Sequence, residues 1–188
     1  RQSGLEAKIK RHANVGKAVF GICGGYQMLG EVISDPDNVE GGGSIQGLGL
    51  LKVRTTFYKE KKTTQVKGKV NRLNGFYEQL TGAEIVGYEI HMGASEIIEG
   101  ISMNTIDRRL DGCVNNNVAG TYVHGIFDSS EVANAVVKIL AERKGVILDN
   151  LEKFDIKKYK ESQYDILADC VRKSIDMDKI YEIVGIKR

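Results

Sequence analysis

A cysteine set among glycines is the first candidate for chemistry, in the stretch VFGICGGYQMLG at residues 19–30. Gly21, Gly24 and Gly25 flank Cys23 in the spacing G-x-C-x-G. At a nucleophile elbow of this kind, a strained strand-to-helix turn lifts the nucleophile above the sheet edge, and glycines avoid clashes beside it. The helix start should lower the pKa of the thiol, and its N–H groups can stabilise an oxyanion. We predict a nucleophilic Cys23; the alternative is a buried structural cysteine.

A thiol nucleophile needs a base, and the sequence contains three histidines. His12 lies in the charged segment KIKRHAN and is interpreted as a solvated helix-end residue. His91 in GYEIHMG and His124 in GTYVHGIF each end a short predicted strand. In α/β folds, sites gather at the edge of the sheet where the carboxyl ends of the strands lie, so either histidine could pair with Cys23. The alternative for each is a structural histidine. No metal site is predicted, because no two of these residues share a short ligand spacing.

The elements around these residues predict a layered α/β fold. KAVFGI reads as a strand and YQMLGEVI as a helix, which places Cys23 on a strand–turn–helix unit. LGLLKVRTTFY and TTQVKGKVNRL read as two strands joined by a charged KEKK hairpin tip. We expect a mostly parallel sheet with an inserted antiparallel segment near residues 48–73. The chain is predicted to form one domain over residues 1–188, with residues 150–188 as a C-terminal helical cover.

Charge and cysteine content limit the classes of partner. Lys and Arg number 27 and Asp and Glu number 25, giving a formal net charge of +2. This balance indicates neither a nucleic-acid nor a membrane partner. The three cysteines are an odd number at wide spacings, which does not suit a disulfide framework. We therefore predict a protein of the reducing cytoplasm.

Three motifs in order, GICGGYQMLG, GYEIHMG and GTYVHGIFD, resemble the C-terminal class I glutamine amidotransferase domain of the cobyric acid synthase family. The tail sequence YDILADCVRKSIDMDKIYEIVG is similar to that family's C-terminal helices. The resemblance implies a flavodoxin-like fold and hydrolysis of L-glutamine to glutamate and ammonia. It also implies an N-terminal synthetase domain, lying outside this chain, that uses ATP and Mg²⁺ to amidate carboxylates of a corrinoid. No cofactor is expected in the glutaminase domain itself.

The resemblance also implies roles for individual residues. Cys23 would attack the glutamine amide, and His124 would act as the base. Gln27 matches a position that helps to hold the substrate, and the N–H of Gly24 would be one oxyanion donor. His91 belongs to the family motif without being its base, so it is interpreted as a hydrogen-bonded residue behind the site or at an interface.

Two departures from the wider class I pattern qualify these roles. Most members carry Glu two positions after the histidine, where this chain has Ile126, so a Cys–His dyad is expected and the group that orients His124 is not identified. The family's second oxyanion donor comes from a turn that would precede residue 1. The chain is therefore expected to be an N-terminally incomplete domain, a poor glutaminase alone, with a loosened site or a pairing between copies.

Several alternatives stay open at this point. Cobyrinic acid diamide synthase fits less well, because it usually lacks the Tyr-Gln pair after the glycines. A lipid II-type amidotransferase shares the first motif and the chemistry. A cysteine hydrolase of the same superfamily would release its product to water. A non-catalytic scaffold could keep Cys23 in an incomplete site.

Overall fold

The computed structural model describes residues 3–148 and 155–186, which fall into two compact units, residues 1–152 and 153–188. The elements of the first unit, in chain order, are α1 (Leu5–Asn14), β1 (Val19–Ile22), α2 (Gly24–Leu29), β2 (Val32–Asp35), β3 (Gly43–Gln46), β4 (Lys52–Val70), a 3₁₀ helix (Gly75–Leu80), β5 (Glu84–Glu99), β6 (Asn104–Ile106), β7 (Arg109–Asp111), β8 (Cys113–Asn115), β9 (Val118–Thr121), a second 3₁₀ helix (Ile126–Asp128) and α3 (Ser130–Arg143). The second unit contains α4 (Ile156–Ser174) and α5 (Met177–Ile183).

A small sheet in the order β1-β9-β8 brings distant parts of the sequence together. β1 runs parallel to β9, with Ile22 opposite Thr121, and β8 is antiparallel to β9. Because parallel strands end at the same edge, the residues after Ile22 and after Thr121 emerge side by side. This pairing positions the loop of Cys23 beside the loop of His124.

A larger six-stranded sheet is built around a long ribbon of β4 and β5. β4 pairs antiparallel with β5 and β6, and parallel with β2. The predicted KEKK hairpin tip is wrong, because these residues lie inside β4. The β4–β5 ladder shifts register between Thr56 and Lys61, so the charged segment lies along an irregular, exposed part of one continuous strand. A bulge absorbs the irregularity without ending the strand.

The predicted helix YQMLGEVI is also shorter than expected. α2 ends at Leu29, and Gly30 adopts an extended backbone. Val32 and Ile33 then continue as β2, pairing with β3 and β4. Two β-branched residues suit a strand that is paired on both sides, and that tertiary pairing overrides the helical spacing.

The predicted α/β class is confirmed, with C-terminal helices. The sheets are mixed and not mostly parallel: among the described strands β1–β9 and β2–β4 are parallel pairs, and the other ladders are antiparallel. The antiparallel part is larger than the predicted insertion at residues 48–73, since its second arm, β5, extends to Glu99. His91 therefore lies inside β5, and the prediction that it ends a strand is wrong. Short alternating segments cannot reveal that they join into one strand of this length.

The hydrophobic core of the first unit lies where the sheets, the 3₁₀ helices and α3 meet. The fully buried side chains with the largest volumes are Tyr26, Tyr77, Leu51, Leu80, Ile85, Met103, Ile106, Ile126, Glu89, Val53, Val66 and Val123. Glu89 is the one charged side chain among them, and it lies on β5.

The second unit is a pair of helices that begin in the same way. The Asp155 carboxylate accepts a hydrogen bond from Lys158 N at the start of α4, and the Asp176 carboxylate accepts one from Lys179 N at the start of α5. Both are N-caps that satisfy otherwise unpaired backbone donors. The two helices agree with the predicted helical tail; its residues 150–154 and 187–188 lie outside the described part of the chain. That residues 1–188 form one domain, with the C-terminal helices covering it, stays a prediction.

Within residues 3–148 and 155–186, no helix has the length and apolar character needed to cross a membrane.

Candidate active site

Cys23 occupies a strained turn between β1 and α2. Its backbone adopts φ 53° and ψ −114°, a region that residues with a side chain rarely occupy, and its N–H donates to Thr121 O at 2.9 Å. A Cβ at position 21 would lie 2.8 Å from the backbone of Gly25, so Gly21 allows the strand and helix to pack closely. A Cβ at position 24 or 25 would meet nothing within 4 Å. The steric argument for flanking glycines therefore applies to Gly21 alone.

The thiol of Cys23 is half-buried against β5, and Sγ lies 3.6 Å from the carbonyl oxygen of Ile90, to which it donates. Burial raises the pKa of the thiol, and a hydrogen bond from the Gly24 backbone opposes this only in part. The expected lowering of the pKa by the helix start is therefore wrong: α2 has only six residues, and desolvation of the thiolate outweighs its effect. A base must take the proton for Cys23 to act as a nucleophile.

His124 follows β9 by three residues and is held by β5. Its N–H donates to Tyr88 O at 2.8 Å, and Tyr88 N donates to His124 O at 3.1 Å. The rings of the two residues are stacked, with centroids 5.0 Å apart and planes within 8°. Nε2 of His124 is buried and makes no hydrogen bond to the described part of the chain. An unpaired ring nitrogen of this kind is free to interact with a bound ligand.

The β5 strand supplies the orientation of His124 that sequence reasoning left unidentified. A Cβ at Gly87 would lie 2.2 Å from His124 O, so this position must be glycine for β5 to approach the loop. Tyr88 then covers one face of the imidazole. The sequence signal was the tripeptide Gly-Tyr-Glu before His91, but nothing local indicated which residue it contacts.

Cys23 and His124 are thus attached to neighbouring points of one strand, through Ile90 and Tyr88 respectively. Two residues of an extended strand span about 7 Å. The structure therefore brings the predicted nucleophile and the predicted base to the same part of β5.

Gln27 lies on the buried face of α2, one turn after Cys23, and its side chain is 6% exposed. Its Nε2 donates to the hydroxyl of Tyr122 at 3.2 Å. That hydroxyl also contacts Ser95 Oγ at 2.7 Å. Tyr122 and Ser95 were not predicted as site residues; Tyr122 belongs to the GTYVHG motif, two residues before His124.

His91 lies on the opposite face of β5 from Tyr88 and Ile90, next to Tyr122. Its ring is stacked on that of Tyr122, with centroids 3.8 Å apart and planes within 16°. Nδ1 lies 2.9 Å from Gly93 O, which can only accept, so Nδ1 carries a proton. Nε2 lies 3.6 Å from Glu89 Oε1. His91 therefore contacts the residues around the candidate site, and no contact of its own ties it to Cys23.

Glu89 anchors this group of side chains from a fully buried position. Its side chain is 0% exposed and forms ion pairs with Lys62, at 2.9 Å, and with Arg109. Burial alone would raise its pKa, but the neighbouring His91 ring and the two cations outweigh burial and lower the pKa to about 2. Sequence reasoning missed Glu89 because its partners come from three different strands.

In residues 3–148 and 155–186, no group of three or more His, Cys, Asp or Glu side chains is arranged to hold a metal ion. The absence of a metal from the reaction stays a prediction.

Comparison with known proteins identifies the family. Residues 1–132 match the CobB/CobQ-like glutamine amidotransferase domain. The chain belongs to this family. A cobyric acid synthase from Ruminiclostridium cellulolyticum is 44% identical over 193 residues, covering 98% of this chain and 38% of that protein. One from Lachnoclostridium phytofermentans is 45% identical over 202 residues, covering 98% and 39%. The amidotransferase-family chain thus spans less than half of these relatives.

A solved structure, that of PurLQS from Thermotoga maritima, has a similar fold. The TM-score is 0.53 at 20% identity, and the match covers 72% of this chain and 68% of the other. At this identity the likeness supports the fold of the amidotransferase-family domain alone.

The backbone strain at Cys23 predicts an unusual preference for glycine over alanine. Cys23→Gly should be more stable than Cys23→Ala by about 1 kcal/mol, because glycine relieves strain of about 1–3 kcal/mol but loses more entropy on folding. Denaturant unfolding measures the difference. The same pair of substitutions at exposed Lys138 in α3 should give the opposite sign, since glycine costs about 1 kcal/mol in a helix. Equal stability of the two Cys23 variants would contradict a strained elbow.

The buried carboxylate of Glu89 predicts an acid-labile domain. Its pKa is about 2 in the folded chain against 4.5 ordinarily, so the stability it provides is complete above pH 4.5 and is lost as the pH falls towards 2. Glu89→Gln should lower the free energy of unfolding at pH 7 by about 1–3 kcal/mol, because Lys62 and Arg109 lose their buried counterion but keep access to water. The free energy of unfolding of the variant should also fall less than that of the wild type as the pH is lowered from 4.5 towards 2.

A matched control for Glu89 is Glu84→Gln, on the same strand. The Glu84 carboxylate is 70% exposed and pairs with Lys69, so its loss should cost less than about 1 kcal/mol. Denaturant unfolding of the three proteins between pH 2 and pH 7 makes the comparison. If the free energy of unfolding of Glu89→Gln ran parallel to that of the wild type at every pH, the lowered pKa of Glu89 would be contradicted.

Proposed function

We propose that this chain is the glutaminase part of a glutamine-dependent amidotransferase. The observation that carries the proposal is the Cys23 elbow, where a thiol in a strained turn and the unpaired Nε2 of His124 are both attached to β5. Family membership favours glutamine as the nitrogen donor. A role as a non-catalytic scaffold does not account for backbone strain at a half-buried thiol.

The proposed reaction follows from the protonation states of the two groups. Because burial raises the pKa of Cys23, the resting form is the thiol, and His124 Nε2 takes its proton as sulfur attacks the side-chain amide carbon of glutamine. The Gly24 N–H stabilises the oxyanion. His124 then returns the proton to the leaving nitrogen, which departs as ammonia and leaves a thioester. Water, deprotonated by His124, hydrolyses the thioester to glutamate and restores the thiol.

The acceptor of the ammonia is proposed from the relatives. Proteins named cobyric acid synthase are 44% and 45% identical to this chain, which spans 38% and 39% of their lengths. We infer that a synthetase domain in the rest of the protein uses ATP and Mg²⁺ to amidate carboxylates of a corrinoid in cobalamin synthesis. The proposed cellular compartment is the cytoplasm. We also propose that the glutaminase domain needs no cofactor of its own.

The test measures glutamate release from L-glutamine by the full-length protein, together with alkylation of Cys23 by iodoacetamide. Glutamate should form, and glutamine should protect Cys23 from alkylation. The midpoint of the alkylation rate against pH should lie above that of a cysteine in a short unstructured peptide with both ends capped, because burial raises the pKa of Cys23. Ready alkylation with no protection and no glutamate would indicate a non-catalytic domain. Glutamate release that never reaches an acceptor would indicate a hydrolase.

A further inference from the structure

Tyr122 is a buried phenol at the centre of a hydrogen-bonded group next to Cys23. Its side chain is 5% exposed, and its hydroxyl accepts from Gln27 Nε2 at 3.2 Å. The same hydroxyl lies 2.7 Å from Ser95 Oγ, which in turn lies 2.7 Å from Thr55 Oγ1. The phenol therefore connects α2, which carries Gln27, to the β4–β5 ribbon.

The ring of Tyr122 has little freedom to turn. His91 is stacked on one face with centroids 3.8 Å apart, and Tyr26 meets it edge-on at 5.3 Å and 84°. His91 is itself fixed by Gly93 O and lies beside the Glu89 carboxylate. The position of the hydroxyl is consequently set by packing on both sides of the ring.

The hydrogen bonds of the hydroxyl determine how Gln27 is oriented. Burial raises the pKa of Tyr122, so the hydroxyl keeps its proton and has one hydrogen to donate. Ser95 can take that hydrogen, and an oxygen lone pair accepts from Gln27. Gln27 thereby has its Nε2 engaged with Tyr122, while its Oε1 makes no hydrogen bond to the described residues. The carbonyl end of the amide is left for a ligand.

We propose that Tyr122 is a positioning residue for substrate binding: it fixes the side-chain amide of Gln27 so that Oε1 is presented to the bound glutamine. This role rests on the proposed glutaminase function. Tyr122 acts through Gln27 and takes no part in the bond-making steps. Its loss should therefore weaken binding of glutamine and leave the limiting rate at Cys23 unchanged.

The test is a double-mutant cycle in the full-length protein with two alkylating probes. One probe is 6-diazo-5-oxo-L-norleucine, a glutamine-shaped electrophile, and the other is iodoacetamide; peptide mapping reports the label on Cys23. Tyr122→Phe removes only the hydroxyl. It should raise the diazoketone concentration for half-maximal labelling by about 5- to 10-fold, with an unchanged limiting rate. Gln27→Ala should raise it at least as much, and the double variant should match Gln27→Ala alone.

Two further variants keep the test decisive. Tyr77→Phe removes an equally buried hydroxyl that donates to Val19 O and Asn117 O, and it should leave the half-maximal concentration unchanged. Ser95→Ala leaves the Tyr122 ring in place and should raise that concentration by a smaller factor. It provides the readout if Tyr122→Phe does not fold.

Three outcomes overturn the proposal. Additive effects of Tyr122→Phe and Gln27→Ala would show that the two residues act independently. A Tyr122→Phe result equal to that of Tyr77→Phe, or a Ser95→Ala result equal to the wild type, would assign the hydroxyl to folding alone. A wild-type Cys23 that reacts with iodoacetamide but not with the diazoketone would instead remove the proposed glutaminase function, which distinguishes that failure from this one.

Discussion

Cys23→Ala in the full-length protein should reduce glutamine-dependent amidation by a factor on the order of 10⁴ or more, while amidation from added ammonia continues at the wild-type rate. The reason is that, in the proposed mechanism, the thiol forms the covalent intermediate, which alanine cannot form. Ammonia bypasses this step, because the proposed mechanism activates the acceptor in the synthetase domain and not at Cys23. The measurement compares product formation from L-glutamine and from ammonium salts at equal nitrogen concentration.

The control for this prediction is Cys170→Ala, which removes an exposed thiol on α4 and should change neither rate. Cys23→Ser provides a second variant of nearly equal shape, and it should lose glutamine use to a similar extent. Continued use of glutamine by both Cys23 variants would reject Cys23 as the nucleophile. Loss of the ammonia reaction as well would mean that the substitution damages the proposed synthetase part.

His124→Ala should lower the glutaminase rate by a factor of about 10² to 10⁴, since proton transfer by a placed base contributes that much. The effect is expected to be large because burial raises the pKa of the Cys23 thiol, so little thiolate forms without a base near pH 7. The rate of the variant should keep rising with pH, because solvent then removes the thiol proton. Steady-state glutamate release between pH 6 and pH 10 measures both effects.

Tyr88→Ala should lower the same rate by about 10-fold through the orientation of His124, whose ring it covers. Tyr58→Ala is the matched control, since both tyrosines are 49% exposed and lie on the same ribbon. His12→Ala on α1 serves as the control for loss of a histidine. A larger loss with His91→Ala than with His124→Ala would move the base to His91.

The local part of the candidate site could be predicted from the sequence. The elbow could be predicted because its apolar strand, Gly21 and the start of the following helix are consecutive in the sequence. Gln27 follows from the helical repeat, one turn later. The position of His124 after a strand follows from its motif, whereas the parallel pairing of β1 with β9, which brings the two loops to one edge, is a tertiary feature.

The groups that hold these residues in place were decided only by the tertiary structure. Tyr88 meets His124, and Glu89 meets Lys62 and Arg109, because of the register of β5 against β4 and the loop after β9. A shift of one residue in that register would exchange the two faces of the strand, placing Glu89 outward and Tyr88 inward. Alternation along the sequence is the same in either register. The choice is made by burial of Ile85 and Glu89 on one face and by the close approach at Gly87, contacts between residues that lie far apart in the chain.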